Sequence, residues 1–184
     1  MRKILVFGPQ GSGKGTQAKR IAEKLGVPAI SMGQLLREEI ARGTELGKHI
    51  EPIVHGRGEL IPGHMALQVF EQRFSQPDCK DGYVFDGYPR TIDEYKDFEA
   101  REAVTDVLLI DVPHDVSLAR MLERAKIENR PDDTAELIEH RLDIYERETK
   151  PVLEEYAKRG LLTTVDGTGS IDEIAARIVD ALHL

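Results

Sequence analysis

The sequence predicts an α/β fold: a five-stranded parallel sheet with helices on both faces. Three observations predict it. Short apolar runs bounded by turn residues recur at residues 3–7, 28–30, 83–85, 107–112 and 161–165. Between them lie segments whose apolar residues recur three and four apart, the period of an amphipathic helix, and strands that alternate with helices pair in parallel. The third is size: 184 residues, 40% of them hydrophobic, with no repeat, low-complexity stretch or Ser/Gly-rich linker, give one compact domain with small insertions.

Each element has its own signal. Residues 3–7 form the first strand, and a helix follows in which Ala18, Ile21, Ala22 and Leu25 share one face before Gly26, a natural C-terminal cap. Residues 28–30 make a second strand. Residues 31–61 are helical in pattern but rich in Gly and polar residues, fit the strand-helix alternation poorly, and so read as an excursion over the site. Residues 83–85 and 107–112 are the third and fourth strands, and the polar stretch 126–133 is a second excursion. A helix begins near Asp133-x-x-Glu136, carries Ile138, Leu142 and Tyr145 on one face, and is interrupted at Pro151. After the fifth strand at 161–165, Ser170-x-x-Glu173 is a capping box. It opens a helix with Ile171, Ile174, Ala175, Ile178, Val179 and Leu182 on one face.

Composition excludes several classes of function. Lys+Arg 25 against Asp+Glu 33 gives a net charge of −8, which argues against nucleic acid as a main ligand, because such binding is driven by basic charge. No apolar run approaches the ~20 residues a membrane span needs, so no membrane role and a cytoplasmic location are expected. Cys79 is the single cysteine, which rules out an intrachain disulfide and a multi-cysteine zinc site; it reads as an inert or half-buried thiol. The six histidines show no His-x-x-x-His metal spacing and read as solvated or capping groups.

The chemistry begins directly after the first strand, at Gly8-Pro9-Gln10-Gly11-Ser12-Gly13-Lys14-Gly15-Thr16. Glycines let successive backbone N–H groups turn inward around phosphate oxygens, the following helix adds its dipole, and Lys14 supplies a mobile point charge. This is a P-loop in the strand-to-helix context the motif demands. A strict P-loop has Ser or Thr straight after the lysine; here Gly15 intervenes and Thr16 follows. Gly11, Ser12, Gly13, Lys14, Gly15 and Thr16 are therefore the expected binding residues for a nucleoside triphosphate. A second cluster, Asp86-Gly87-Tyr88-Pro89-Arg90-Thr91, ends the third strand. Taken alone, Asp86 reads equally as a strand-end turn residue and Arg90 as a solvated surface group.

The Gly-Lys-Gly-Thr form, the Asp-Gly-Tyr-Pro-Arg signature and the surrounding segments together resemble the nucleoside monophosphate kinases, above all the adenylate kinase family, nearly from end to end. The resemblance implies that Arg90 grips the acceptor's phosphate and that Asp86 orients water on Mg2+. It makes Ser31-Met32-Gly33-Gln34-Leu35-Leu36-Arg37 the entry to an acceptor-binding subdomain, with Arg37 a second clamp. Glu59-Leu60-Ile61-Pro62 matches the segment that lines the acceptor base, and Gly87, Tyr88 and Pro89 belong to the same site. In Arg120-Met121-Leu122-Glu123-Arg124, Arg124 is the arginine presented to ATP. Arg130 and Arg141 match the pair that closes over the transferring group, and Val165-Asp166-Gly167-Thr168-Gly169 matches the adenine loop, with Gly169 the contact. The implied division is a P-loop NTPase-like core of residues 1–30, 62–124 and 133–184, an acceptor-binding subdomain at 31–61 and a short lid at 125–132 without zinc.

The implied reaction is reversible, Mg2+-dependent phosphoryl transfer from ATP to AMP. ATP and a monophosphate bring roughly six negative charges, and one Mg2+ leaves about four. Lys14, Arg37, Arg90, Arg124, Arg130 and Arg141 offer six positive ones. The acceptor phosphate is already largely ionised, so no catalytic base is needed. Two positions bear on the acceptor base: Met32 stands where these enzymes usually carry Thr, and Glu94 where they carry Gln. Glu94 accepts hydrogen bonds but, ionised, cannot donate them; it also reads as a helix-surface residue. UMP/CMP kinases share the short lid and phosphate contacts and are the alternative. A non-catalytic nucleotide-binding module is a further one, though the Asn-Lys-x-Asp base reader of GTPase switches is absent. A monomer is expected.

Overall fold

The computed structural model describes residues 1–56, 59–128 and 134–184. Five strands, β1 (Arg2–Phe7), β2 (Ala29–Ser31), β3 (Gly82–Asp86), β4 (Asp106–Asp111) and β5 (Leu162–Asp166), form one all-parallel sheet in the order β2-β3-β1-β4-β5. Each apolar run of the sequence falls on a strand, displaced by at most one residue or so at its ends. The reason is visible on β1, which is central and covered on both sides. Ile4 and Val6 face one layer and Leu5 and Phe7 the other, and all four are buried.

The helices in chain order are α1 (Lys14–Leu25), α2 (Met32–Ala41), α3 (Glu45–Gly56), α4 (Gly63–Phe74), α5 (Ile92–Glu99), α6 (His114–Glu128), α7 (Ala135–Ile144), α8 (Lys150–Lys158) and α9 (Ile171–Leu182). One layer packs α1 and α9 against the sheet, through Ala18, Ile21 and Ala22 and through Ile174, Ile178 and Leu182. The opposite layer gathers α2, α3, α4, α5 and α8 around Phe70, Phe85, Tyr88 and Phe98. Gly26 ends α1 in the left-handed region (φ 66). The capping box at Ser170 starts α9, with both reciprocal bonds formed. Ile171, placed on the apolar face of α9 by periodicity, is 53% exposed, because only residues beyond the first turn reach the sheet.

Three expectations are adjusted. Residues 125–128 of the expected lid form the last turn of α6, and residues 129–133, the rest of that segment, lie outside the described residues. The helix expected near Asp133 begins at Ala135, because the Thr134 hydroxyl accepts the Leu137 N–H at 3.3 Å and so caps it. The interruption at Pro151 is a single π-helical turn, Tyr145–Thr149, closed by the Lys150 N–H on the Tyr145 carbonyl. Proline has no N–H to give a carbonyl one turn back and its ring crowds that carbonyl, so the chain widens by one residue and restarts with Pro151 in the first turn of α8.

Candidate active site

The first crossover leaves β1 toward β3 and β2, and the later ones go to β4 and β5, so the sheet reverses direction of growth at its centre. Ligands bind at such a switch point, beyond the carboxyl ends of the strands. A cleft of about 880 Å³ opens there, at the ends of β1, β2 and β3. Eight Lys and Arg residues against four Asp and Glu line it, so a chain of net charge −8 carries a locally cationic cleft.

The loop between β1 and α1 needs its glycines. Gly11 has φ 81, and a Cβ there would lie 2.6 Å from the Ser117 carbonyl on α6; Gly13, with φ 84, starts α1 from the left-handed region. Gly11, Gly13, Lys14, Gly15 and Thr16 line the cleft. Ser12 does not: its hydroxyl is fully buried beneath the loop, with no hydrogen-bond partner among the described residues. Lys14 folds back so that Nζ donates to the Pro9 carbonyl at 3.2 Å. Burial lowers the Lys14 pKa, opposed by the Asp86 carboxylate, while the neighbouring Arg90 and Arg124 lower it further. An ammonium in that position is short of negative charge, and a bound phosphate supplies it.

Asp86 ends β3 and is buried. Burial raises its pKa, while Lys14, Arg90, a hydrogen bond from Ser31 and Arg37 hold it down. Its Oδ1 has no partner among the described residues, and among those residues no cluster of three His, Cys, Asp or Glu side chains could hold a metal alone. A hard dication that keeps its waters and takes most of its oxygens from phosphate needs little more than one such carboxylate, so the residues present fit Mg2+ bound with nucleotide.

The chain turns sharply after Asp86 through Gly87 (φ 85) and a cis Tyr88–Pro89 bond. Tyr88 buries its ring in the aromatic layer and lines the cleft with Gly87 and Arg90; Pro89 is not part of the lining. Arg90 is held at several points. Its Nε donates to the Gly87 carbonyl at 2.9 Å, its backbone N–H to Glu94 Oε2 at 2.7 Å, and its carbonyl accepts from Thr149 Oγ1 at 3.0 Å. Burial lowers its pKa, Asp86 and Glu94 restore it, and Arg141 lowers it further. Glu94 is no helix-surface residue: it is 5% exposed, lines the cleft, and burial raises its pKa against the opposing N–H and charge of Arg90.

Arg37 on α2, Arg124 on α6 and Arg141 on α7 reach the same cleft from three directions. Arg141 Nη2 also donates to the Val54 carbonyl on α3 at 3.4 Å. Met32, Glu59, Leu60 and Ile61 line the part of the cleft beside α2 and α4. Arg130 lies outside the described residues. Gly169 does not line the cleft but is tied to it. Arg120 Nη1 donates to the carbonyls of Gly11 (3.3 Å) and Gly167 (3.0 Å), and Nη2 to that of Gly169 (3.5 Å). The sequence does not single out Arg120 or Thr149. The signal for Arg120 was its place four residues before Arg124, on the same helix face; Thr149 gives none. Cys79 is buried, with Sγ 2.9 Å from Arg73 Nη1, and is not part of the cleft lining.

Comparison with known proteins gives one consistent result. The family described as adenylate kinase matches residues 6–161. The chain is 41% identical over 188 residues to an adenylate kinase of Micrococcus luteus, covering all of this chain and 91% of that one. It is 42% identical to the adenylate kinase of Kocuria rhizophila over the full length of both, and 42% identical to that of Stenotrophomonas maltophilia over 98% of each.

Proposed function

The chain belongs to the adenylate kinase family, and from that premise we propose that its cleft transfers the terminal phosphoryl group of Mg2+-bound ATP to AMP, reversibly, giving two ADP. The observation that carries this is the meeting of Lys14, Arg37, Arg90, Arg124 and Arg141, from five separate stretches of chain, in one cleft, with the buried carboxylate of Asp86 facing Lys14, Arg90 and Arg37.

Phosphoryl transfer spreads charge over the oxygens of a loosely bound moving group, so the work of the protein is to position two phosphates in line and stabilise that charge. Gly11, Gly13, Gly15 and Thr16 wrap the donor's phosphates while Lys14 leaves the Pro9 carbonyl to meet the outer ones. Asp86 is the residue that would hold Mg2+ through water, and the ion, when bound with ATP, would neutralise part of the phosphate charge. Arg37 and Arg90 hold the acceptor phosphate from α2 and from the turn after β3. Arg124 and Arg141 cover the moving group, the part that the family resemblance also gives to Arg130, which lies outside the described residues. Arginine suits these places because its planar fork binds phosphate oxygens in pairs and keeps its charge when water leaves. Water is the competing nucleophile, so exclusion of water from the cleft during transfer is part of the same task. No second chain is needed to supply these cations, which supports action as a monomer.

Glu94 and Met32 bear on the choice of base. A carboxylate can accept from the exocyclic amino group of adenine or cytosine, from guanine's N–H groups or from uracil N3–H, and, ionised, it donates to none of them. The contact alone does not choose the base; membership of the family favours AMP, with CMP or UMP as the second reading. A coupled assay of ADP release with ATP, Mg2+ and each of AMP, CMP, UMP, GMP and dAMP tests both levels. We expect AMP to lead. Preference for CMP or UMP would overturn the substrate, and no turnover with any acceptor would overturn the reaction.

A further inference from the structure

We propose that Thr149, a residue outside the cleft lining, is a positioning residue for the reaction, holding Arg90 in its working geometry through the π-helical turn before Pro151. This rests on the reading of Arg90 as a clamp on the acceptor phosphate.

Thr149 is one of few buried polar side chains in the described structure, 5% exposed. Its hydroxyl spends its donor on the Arg90 carbonyl at 3.0 Å, across 59 residues of sequence. Arg90 sits in a turn with no regular hydrogen-bonding pattern of its own, between the cis Tyr88–Pro89 bond and α5. Three contacts fix it there. Glu94 takes its N–H, Gly87 takes its Nε, and Thr149 satisfies its carbonyl. The first two come from within four residues and move with the turn. Only Thr149 belongs to another part of the fold, so of these three contacts it alone sets where the turn stands relative to the rest of the molecule.

The π turn supplies the reach. Tyr145–Thr149 carries one residue more per turn than an α-helix would, and Thr149 is its last residue, directly before α8. A wider turn presents its final side chain at an angle and depth that a continuous helix does not, and such turns recur at functional sites. The same continuous segment carries Arg141, about two turns earlier on α7. Arg141 lines the same cleft as Arg90, and its charge lowers the pKa of Arg90. The continuous helical segment that brings the repelling charge thus also brings the hydroxyl that bonds the Arg90 carbonyl.

Catalysis by pre-aimed charge is sensitive to small misplacement, because a donor shifted by about 1 Å loses most of its advantage. Thr149→Val keeps the branched shape and removes the hydroxyl. We expect kcat with ATP and AMP to fall about tenfold and the KM for AMP to rise, with the KM for ATP within about twofold of wild type. Thr149→Ser should restore kcat to within about threefold. If Thr149→Val does not fold, Thr149→Ala removes the same hydroxyl and carries the same test.

The decisive measurement is the double variant. If Thr149 acts through Arg90, adding Thr149→Val to Arg90→Ala lowers the residual kcat by less than about twofold, because the group being positioned is gone. Full additivity of the two losses would overturn the proposal, as would wild-type kcat in Thr149→Val. Wild-type activity in Arg90→Ala alone would instead overturn the reading of Arg90, a separate outcome.

Discussion

At the scale of single residues, the site concentrates like charges before any ligand arrives. Lys14 and Arg90 both have pKa values pushed down by burial and by neighbouring cations, with Asp86 the main compensation. For a lysine lowered in the folded state, the charged form subtracts stability at every pH below the folded value, and only a bound anion removes that deficit. Lys14→Ala and Arg90→Ala should therefore each lose orders of magnitude in kcat while their melting temperatures stay at or above wild type. Steady-state kinetics and thermal melts on the same preparations check this. Near-normal turnover in either would remove that residue from the mechanism. Glu94 gives a prediction of pH dependence. Its folded pKa is raised, so the folded state holds the proton longer than the unfolded one. The ionised form then weakens folding as pH rises above the usual carboxylate value of 4.5 and through the folded value. Glu94→Gln, whose amide oxygen can still accept from Arg90, should raise the melting temperature at about pH 8 more than at about pH 5. A gain equal at both would show that Glu94 does not titrate as described. Lys14 was legible from its own local motif, whereas Arg90 and Glu94, which taken alone read as surface groups, were singled out only through the resemblance to the family. Arg120 and Thr149 were not, because their partners lie 109 and 59 residues away.

At the scale of elements, the strands were the most legible part, since a parallel sheet covered on both faces leaves each strand a short unbroken apolar run. The acceptor-side excursion was less so. Periodicity showed helix within residues 31–61 but not that it is two helices, α2 and α3, crossing at close range. Gly47 makes the crossing possible: a Cβ there would stand 2.3 Å from the Glu39 carbonyl on α2. That carbonyl is backbone and cannot swing aside, so Gly47→Ala has to push α2 and α3 apart. Overpacking of this kind costs about 1–3 kcal/mol, and each kcal/mol lowers the melting temperature of a chain this long by about 2–4 °C. Because α2 carries Met32 and Arg37, the KM for AMP should rise while that for ATP holds within about twofold. A rise confined to ATP would place the acceptor elsewhere. The π turn before α8 was half legible: Pro151 predicts a break, but only packing decides that the break widens the helix instead of ending it.

At the scale of the whole molecule, the charge of −8 and the cationic cleft act over different distances. A nucleotide approaching from far away meets a net negative body, which repels it. Inside the cleft it meets eight Lys and Arg side chains against four carboxylates, in a setting where solvent and ions screen poorly. Salt acts unequally on the two. At about 0.1 M the Debye length is about 10 Å, so repulsion from the distant surface is largely removed while contacts inside the cleft keep most of their strength. The two effects oppose each other in the observed rate. Raising KCl from about 20 mM to about 150 mM should therefore change kcat/KM for AMP by less than about threefold. A protein steered by an extended basic surface behaves otherwise, losing orders of magnitude over a similar range as counterions compete. A steep fall here would mean that attraction reaches well beyond the cleft, and that the acidic surface is arranged to leave a positive path into it. A rise would mean that long-range repulsion limits encounter, and the exposed carboxylates of the cleft lining, Glu23 and Glu59, would then be the ones whose neutralisation speeds binding at low salt.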